Sequence, residues 1–133
     1  MLRVYTAYKL HRGKELIDFF YGSECAFLHA RWLKHIEIGT KDSPENAKTF
    51  WREDVADVID SDVVLVYAGP QSTDDLRGAL VEAGVAIATG VPVIVVGNSK
   101  CYGTWQYHPL VIRVPTFMIA HDELEKMNER VRA

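Results

Sequence analysis

The chain has 133 residues, of which 48% are hydrophobic and 25% are charged, and its formal net charge is −3 at pH 7. This length predicts a single domain over residues 1–133, and the composition is that of a globular protein. The charge disfavours a nucleic-acid polymer as partner, because binding to its phosphates needs a basic excess, and no apolar run approaches the ~20 residues of a membrane helix.

The first half of the chain predicts two strands, over Leu2–Thr6 and Ala26–Leu33, and two helices, over about Lys14–Tyr21 and Glu45–Asp60. Polar residues alternate along the second strand (His29 and Arg31), which is typical of a strand at the edge of a sheet. The loop over 34–44 is rich in turn residues, and Ser43 or Pro44 is expected to begin the second helix.

The second half predicts three more strands and two more helices: Asp62–Ala68, Leu76–Thr89, Pro92–Val96, Leu110–Val114 and Ala120–Arg132. The apolar run Asp62–Ala68 indicates a central strand that is buried on both faces. Strands that alternate with helices favour a doubly wound parallel sheet with right-handed crossovers. Ligands bind beyond the carboxyl ends of such strands, which are the loops 7–13, 34–44, 69–75 and 97–109.

Glu82 is the first candidate for a catalytic residue. It is the only charged side chain between Arg77 and the end of its helix, and small apolar residues surround it, so we expect it to be partly buried. Asp75 and Gly78 share its helix face, and the glycine suggests that something approaches that face closely. A carboxylate here could attack a sugar anomeric carbon and trap its oxocarbenium-like transition state. The alternative is a structural glutamate that is satisfied by a lysine or by backbone.

Asp54 is the second candidate, because it interrupts an apolar stripe formed by Ala47, Trp51 and Val58 at helical spacing. A buried carboxylate is costly unless it is paired or has a function. Asp54 could hold a ribose hydroxyl or exchange a proton with the base or with Glu82. The alternative is an aspartate that binds backbone amides where helices pack.

The remaining candidates lie in the predicted loops and at their edges. Tyr8 and Lys9 precede the first helix, where an anion such as phosphate could bind, and Tyr5, Tyr8, Trp32, Trp105 and Tyr107 could stack on a base. Each of these residues could equally be solvated or belong to the core. No metal site, P-loop or dinucleotide motif is expected from the spacing. In the absence of a signal segment, Cys25 and Cys101 are expected to be free thiols in the cytoplasm.

Several segments together resemble the nucleoside 2-deoxyribosyltransferase family, which includes deoxynucleoside-monophosphate N-glycosidases. Asp54 stands eight positions before Asp62 and the apolar strand, and Gly78-Ala-Leu-Val-Glu82-Ala-Gly84 and Gly90-Val-Pro-Val-Ile follow. The small phage-type members are the most similar, with the turn Ala7-Tyr8-Lys9, Trp32 and the segment His108–Val111. Many members have aspartate or serine where this chain has Leu76, and Asp75 is the nearest substitute.

The resemblance implies an α/β flavodoxin-like, Rossmann-like three-layer sandwich with a five-stranded parallel sheet in the order 2-1-3-4-5. It implies a catalytic pair matching Glu82 and Asp54, a nucleoside or nucleotide substrate and no cofactor. It further implies a homodimer in which a loop of the neighbour completes the sugar pocket, with Tyr107 and His108 as candidates. The residues expected to contact substrate are Tyr8, Lys9, Trp32, Gly69, Asp75, Gly78, Tyr107 and His108.

Two other functions stay open at this point. A phosphoribohydrolase shares the glycosidase chemistry, but its glutamate follows a glycine-rich loop of which this chain has only Gly78. A non-catalytic nucleotide-binding or interaction module could use the same fold, and the leucine at position 76 favours it. Hydrolase and transferase differ only in whether water or a second base accepts the sugar.

Overall fold

The computed structural model of the chain describes residues 1–8, 20, 26–41, 43–67, 77–97 and 102–132. The predicted helix over Lys14–Tyr21 lies outside the described residues apart from Phe20. Both cysteines lie outside them as well, so the expectation of free thiols stays a prediction.

The described residues contain one sheet of five strands: β1 (Leu2–Tyr8), β2 (Ala26–Leu28), β3 (Val63–Tyr67), β4 (Val93–Val96) and β5 (Val111–Val114). All pairings are parallel, and the order is β2-β1-β3-β4-β5. This confirms the predicted α/β fold and strand order. The residues of β4 are all buried, as are those of β3 before Tyr67, because a central parallel strand is covered on both faces.

The described residues also form four α-helices: α1 (Trp32–Glu37), α2 (Pro44–Asp60), α3 (Arg77–Ala88) and α4 (Phe117–Arg132). The side chain of Ser43 accepts a hydrogen bond from the Asn46 amide at 3.2 Å, and Pro44 follows it, which confirms the predicted start of α2. Gly90 directly follows the predicted helix Leu76–Thr89 and has a φ of 80°, the left-handed conformation in which a glycine ends a helix. None of these helices combines the length and apolar character that crossing a bilayer requires.

The crossovers place α2 and α3 on the same face of the sheet. Each connects strands in the direction from β2 towards β4, and right-handed crossovers in one direction share a face. The two helices pack against each other. Phe20 stacks on His121 of α4, with ring centroids 6.4 Å apart, so the segment between β1 and β2 contacts α4.

The predicted second strand, Ala26–Leu33, is wrong beyond Leu28, because α1 begins within it at Trp32 and extends into the predicted loop over 34–44. Asp57 of α2 causes this change, because its carboxylate accepts the backbone amide of Arg31 at 3.0 Å and also binds the Arg31 side chain. The chain turns there and starts a helix. This partner lies 26 residues away in sequence, so local periodicity could not reveal it.

The sequence of α3 predicts an apolar stripe over Leu76, Leu80, Ala83 and Ile87, and this prediction is partly wrong. Leu80 is 39% exposed, and the buried face consists of Ala79, Glu82, Ala83 and Ala86. Small side chains allow the helix to approach the sheet closely, so the alanines face inward and the larger leucine faces out. As a result, Glu82 lies on the buried face.

Candidate functional site

The candidate site lies where α2 and α3 meet above the sheet. A methyl group on Gly78 would lie 3.5 Å from Cη2 of Trp51, so the indole is what approaches this face of α3. Both helices run from the carboxyl ends of the strands to the amino ends, and they are therefore parallel. One turn after this contact, Asp54 and Glu82 each lie six residues before the end of their helix, at Asp60 and Ala88. The contact and these positions place the backbone of the two residues at similar heights on adjoining helices, and neither carboxyl influences the pKa of the other.

Glu82 is buried, with 8% of its surface exposed, which confirms the expected burial. Burial raises the pKa of Glu82 to about 8, because the charged form loses its hydration. Among the described residues, no hydrogen bond or ion pair compensates for this loss. Arg77, the charged residue that precedes Glu82 on α3, is exposed and does not contribute to this pKa.

Asp54 lies at the centre of the inner side of α2. Helical spacing places Trp51 and Val58 to one side of it, towards α3, and Phe50 and Asp57 to the other side, towards α1. Its Oδ1 is buried without a hydrogen-bond partner. Burial, followed by the negative charges of Asp57 and Glu53, raises the pKa of Asp54 to about 7. No hydrogen bond joins Asp54 to Glu82.

Sequence reasoning considered Tyr5 of β1 only as one of several aromatics that could stack on a base. The side chain of Arg3 reaches Asp60 at the end of α2, with Nη1 and Oδ1 3.0 Å apart. Because side chains alternate along a strand, Tyr5 points to the same face, below α2 and α3. Tyr5 is fully buried, and its hydroxyl has no hydrogen-bond partner, although a buried tyrosine hydroxyl usually has one. The feature of the sequence that could have revealed Tyr5 as a site residue is a tyrosine within a buried strand.

A network of ion pairs lies on the other side of Asp54. Arg31 binds the buried carboxylate of Asp57 at 2.8 Å and approaches Glu53 at 3.4 Å. His35 of α1 also binds Glu53, with Nε2 and Oε1 2.9 Å apart. Hydrogen bonding to Asp57 is the largest influence that raises the pKa of Arg31. These contacts fix α1 against α2, so the backbone that carries Asp54 is held in place.

Of the predicted contacts near the first loop, Trp32 and Tyr8 lie within the described residues. Trp32 is buried as the first residue of α1, and its Nε1 donates to the Thr6 carbonyl at 2.8 Å. The indole thus satisfies the edge of β1 beyond the last residue of β2, and Trp32 belongs to the core. Tyr8 is the last residue of β1, at the carboxyl end of the sheet. Lys9, Gly69 and Asp75 lie outside the described residues.

Tyr107 and His108 lie near the amino ends of the strands, at the opposite end of the sheet from Tyr8. Thr104–Tyr107 form a short 3-10 helix, and the next residues lead into β5 at its amino end, where the Val93 amide binds the Leu110 carbonyl. A parallel crossover has to return to that edge before the next strand begins. Tyr107 is 67% exposed, with the Arg113 guanidinium 4.4 Å above its ring. The chain therefore does not bring these two residues together with Glu82.

Two other surface features lie outside this site. A shallow depression at the β2 edge is lined by residues that include Phe27, His29 and Arg31, and its histidine and arginine are already paired with Asp60 and Asp57. On α4, ligand atoms of His121, Asp122 and Glu125 lie within 4.8 Å of one another. His121 and Glu125 already form an ion pair at 3.3 Å.

Comparisons of the chain with protein-family models, with curated proteins and with solved structures found no match. The function is therefore inferred from the buried carboxyls of Glu82 and Asp54 and from the sheet topology around them.

Proposed function

We propose that the protein cleaves or transfers the N-glycosidic bond of a 2′-deoxynucleoside or its 5′-monophosphate, with Glu82 as the nucleophile. The observation that carries this proposal is the buried carboxyl of Glu82, which has no hydrogen bond or ion pair among the described residues, together with the unpartnered Oδ1 of Asp54 on the adjoining helix. Two carboxyl groups in different environments are the arrangement that glycosidic chemistry uses. The resemblance to the deoxyribosyltransferase family agrees with these two positions.

In the proposed reaction, a carboxylate oxygen of Glu82 forms a bond to C1′ while the bond from C1′ to the base nitrogen breaks. The electron pair of that bond goes to the base, which takes the proton of Asp54. Water or a second base then attacks C1′ and displaces Glu82, and the carboxylate of Asp54 takes the proton of the attacking group. Asp54 thus acts first as acid and then as base.

The environments of the two carboxyls suit these roles in part. A pKa of about 7 keeps a large share of Asp54 protonated near neutral pH, as an acid requires. A pKa of about 8 leaves only a minority of Glu82 ionised in the ligand-free protein. The cation-like sugar of the transition state favours the ionised form, so the desolvated carboxylate gains most where positive charge develops. The hydroxyl of Tyr5 is the group in this layer that could hydrogen-bond the substrate or Glu82.

The test incubates the protein with the four 2′-deoxynucleosides and their 5′-monophosphates and measures the released base by chromatography. We expect the wild-type protein to release base and Glu82→Gln to lose activity on the order of 10³-fold. Glu129→Gln, an exposed change on α4, is the matched control and should retain full activity. Addition of a second base distinguishes transfer from hydrolysis. Equal rates for Glu82→Gln and wild type would refute the mechanism, and binding without base release would indicate a binding module instead.

We also propose that the protein is a homodimer and that α3 contributes to the interface. The outward face of this helix carries exposed apolar side chains, Leu80 at 39% and Val81 at 52% exposure, next to exposed Gly84 and Ala88. Exposed apolar surface of this kind marks interfaces, and a twofold axis pairs the same patch on both copies. Light scattering should show a dimer that Val81→Glu disrupts and that Val131→Glu, a control on α4, leaves intact. In such a dimer Tyr107 and His108 would serve the pocket of the neighbour.

A further inference from the structure

Trp51 lies where α2 meets the first turn of α3. Gly78 is the second residue of α3, and this helix follows β3, so its first turn is at the carboxyl ends of the strands. A β-carbon on Gly78 would be 3.5 Å from Cη2 and 3.6 Å from Cζ2 of Trp51. The six-membered ring of the indole therefore lies at the end of the sheet where ligands of doubly wound folds bind.

The environment of Trp51 differs from that of Val58, which occupies the same side of α2. The two residues are seven positions apart, about two helical turns, so their side chains point in the same direction. Val58 is fully buried, whereas Trp51 is 38% exposed. Because α2 starts at the carboxyl ends of the strands, the cover over this side of the helix opens towards those ends and exposes the indole.

The other two tryptophans have different surroundings. Trp32 is buried and donates to the Thr6 carbonyl. Trp105 packs edge-on against Tyr102, with ring centroids 5.9 Å apart, in the segment that leads to the amino end of β5. Within the described part of the chain, no aromatic ring packs on Trp51 and no hydrogen bond engages its Nε1. An accessible indole with an unused N–H can stack on a planar base and donate a hydrogen bond to it.

We propose that Trp51 is the residue on which the base of the substrate stacks, and that it favours purines over pyrimidines. This inference rests on the proposed function, in which the base takes the proton of Asp54. Trp51 and Asp54 are three positions apart and are therefore neighbours on the surface of α2, so a base beside Asp54 is within reach of the indole. Stacking strengthens with ring area, and a purine has two fused rings where a pyrimidine has one.

Binding to a protein that cannot turn over the substrate tests this contact without catalysis. In Glu82→Gln, 2′-deoxyadenosine should quench the tryptophan fluorescence. The further change Trp51→Leu should remove the quenching and weaken binding about tenfold by calorimetry, and binding of 2′-deoxycytidine should weaken less. Phe27→Leu is the matched control, because Phe27 is also an exposed aromatic side chain, at 53%, but lies on the edge strand β2. It should leave both the quenching and the affinity unchanged.

Base release provides the second readout. Trp51→Leu should raise KM for purine 2′-deoxynucleosides about tenfold, whereas Trp51→Phe should retain most of the affinity, because a phenyl ring still stacks. Unchanged quenching and affinity in a folded Trp51→Leu variant would overturn the inference, even if the protein releases base. Loss of quenching with Trp51→Leu in a protein that releases no base would support Trp51 as the stacking residue and refute the proposed function.

A measurement that leaves Trp51 in place covers the case in which Trp51→Leu does not fold. The indole N–H signals of the tryptophans in proton–nitrogen NMR report on the surroundings of each ring. We expect 2′-deoxyadenosine to shift the signal of Trp51 more than those of Trp32 and Trp105. A Trp51 signal that stays in place at saturating nucleoside would overturn the proposal.

Discussion

Two regions of the molecule treat buried carboxyl groups in opposite ways. Where α1 packs on α2, Asp57 is 4% exposed and accepts hydrogen bonds from both the backbone and the side chain of Arg31. Where α2 and α3 cover the sheet, Oδ1 of Asp54 and the carboxyl of Glu82 have no hydrogen-bond partner among the described residues. The first region has the arrangement of a structural ion pair. The second region holds acids at a cost in stability, which is the usual sign of a site kept for function.

The two regions therefore differ more in whether a carboxyl group has a hydrogen-bond or charge partner than in how deeply it is buried. A buried carboxylate with a cation and amide donors can stay charged, whereas one without them tends towards its neutral form.

The pH dependence of base release tests the unpaired side directly. Reaction needs Glu82 ionised and Asp54 protonated, so with pKa values of about 8 and about 7 the rate should be greatest between pH 7 and 8. It should fall about tenfold per pH unit on either side. Asp54→Asn should be slower overall and should lose the alkaline fall. A rate that stays flat from pH 5 to 9 would contradict these protonation roles.

The stability of Glu82→Gln tests whether the buried acid is costly. The folded pKa of Glu82 is raised from 4.5 to about 8, so its neutral form stabilises the fold at low pH. That stability declines as pH rises from 4.5 through 8. Between pH 5 and pH 8.5 the wild type should lose on the order of 4 kcal/mol more than Glu82→Gln. Urea unfolding at both pH values measures this difference, and parallel losses would show that Glu82 finds a partner.

Removal of the carboxylate of Asp57, which is paired, should lower the stability of the protein. Asp57→Ala leaves the Arg31 backbone amide and side chain without their partner, so the free energy of unfolding should fall by about 2–3 kcal/mol. Asp122→Ala, at an exposed position on α4, serves as the control. Thermal unfolding at pH 7 compares them, and equal stabilities would show that the Asp57 pair holds nothing in place.

Gly78→Ala tests how closely α2 and α3 approach each other. The new methyl group would lie at an ordinary contact distance from Trp51, 3.5 Å, and alanine favours a helix more than glycine does. Stability should rise by about 0.5–1 kcal/mol. Loss of stability would mean that α2 and α3 approach more closely than this contact indicates.

Periodicity and composition were enough to predict most of the secondary structure. The apolar runs of β3 and β4, the capping signals at Ser43 and Pro44, and Gly90 after α3 are local features. Local physics acts within a few residues, so the sequence expresses it directly. The strand order came from the resemblance, and the pairing of the strands confirms it.

The sequence could not predict the features that depend on distant partners. The segment after Leu28 becomes a helix because Asp57 holds the Arg31 amide, and Trp32 becomes core because it binds the Thr6 carbonyl. Tyr107 lies at the amino edge because the chain has to return there before β5. Periodicity has no information about such contacts, which form only after the sheet has assembled.

Residue types and their spacing along the chain are enough to place Glu82 and Asp54 on helices among apolar residues. The chain has to fold before Asp57 acquires a cation and before Oδ1 of Asp54 and the carboxyl of Glu82 are buried without a hydrogen-bond partner among the described residues. The protonation state and reactivity of a carboxyl depend on solvation and on neighbours in space, and both are set when α1 and α3 pack on α2.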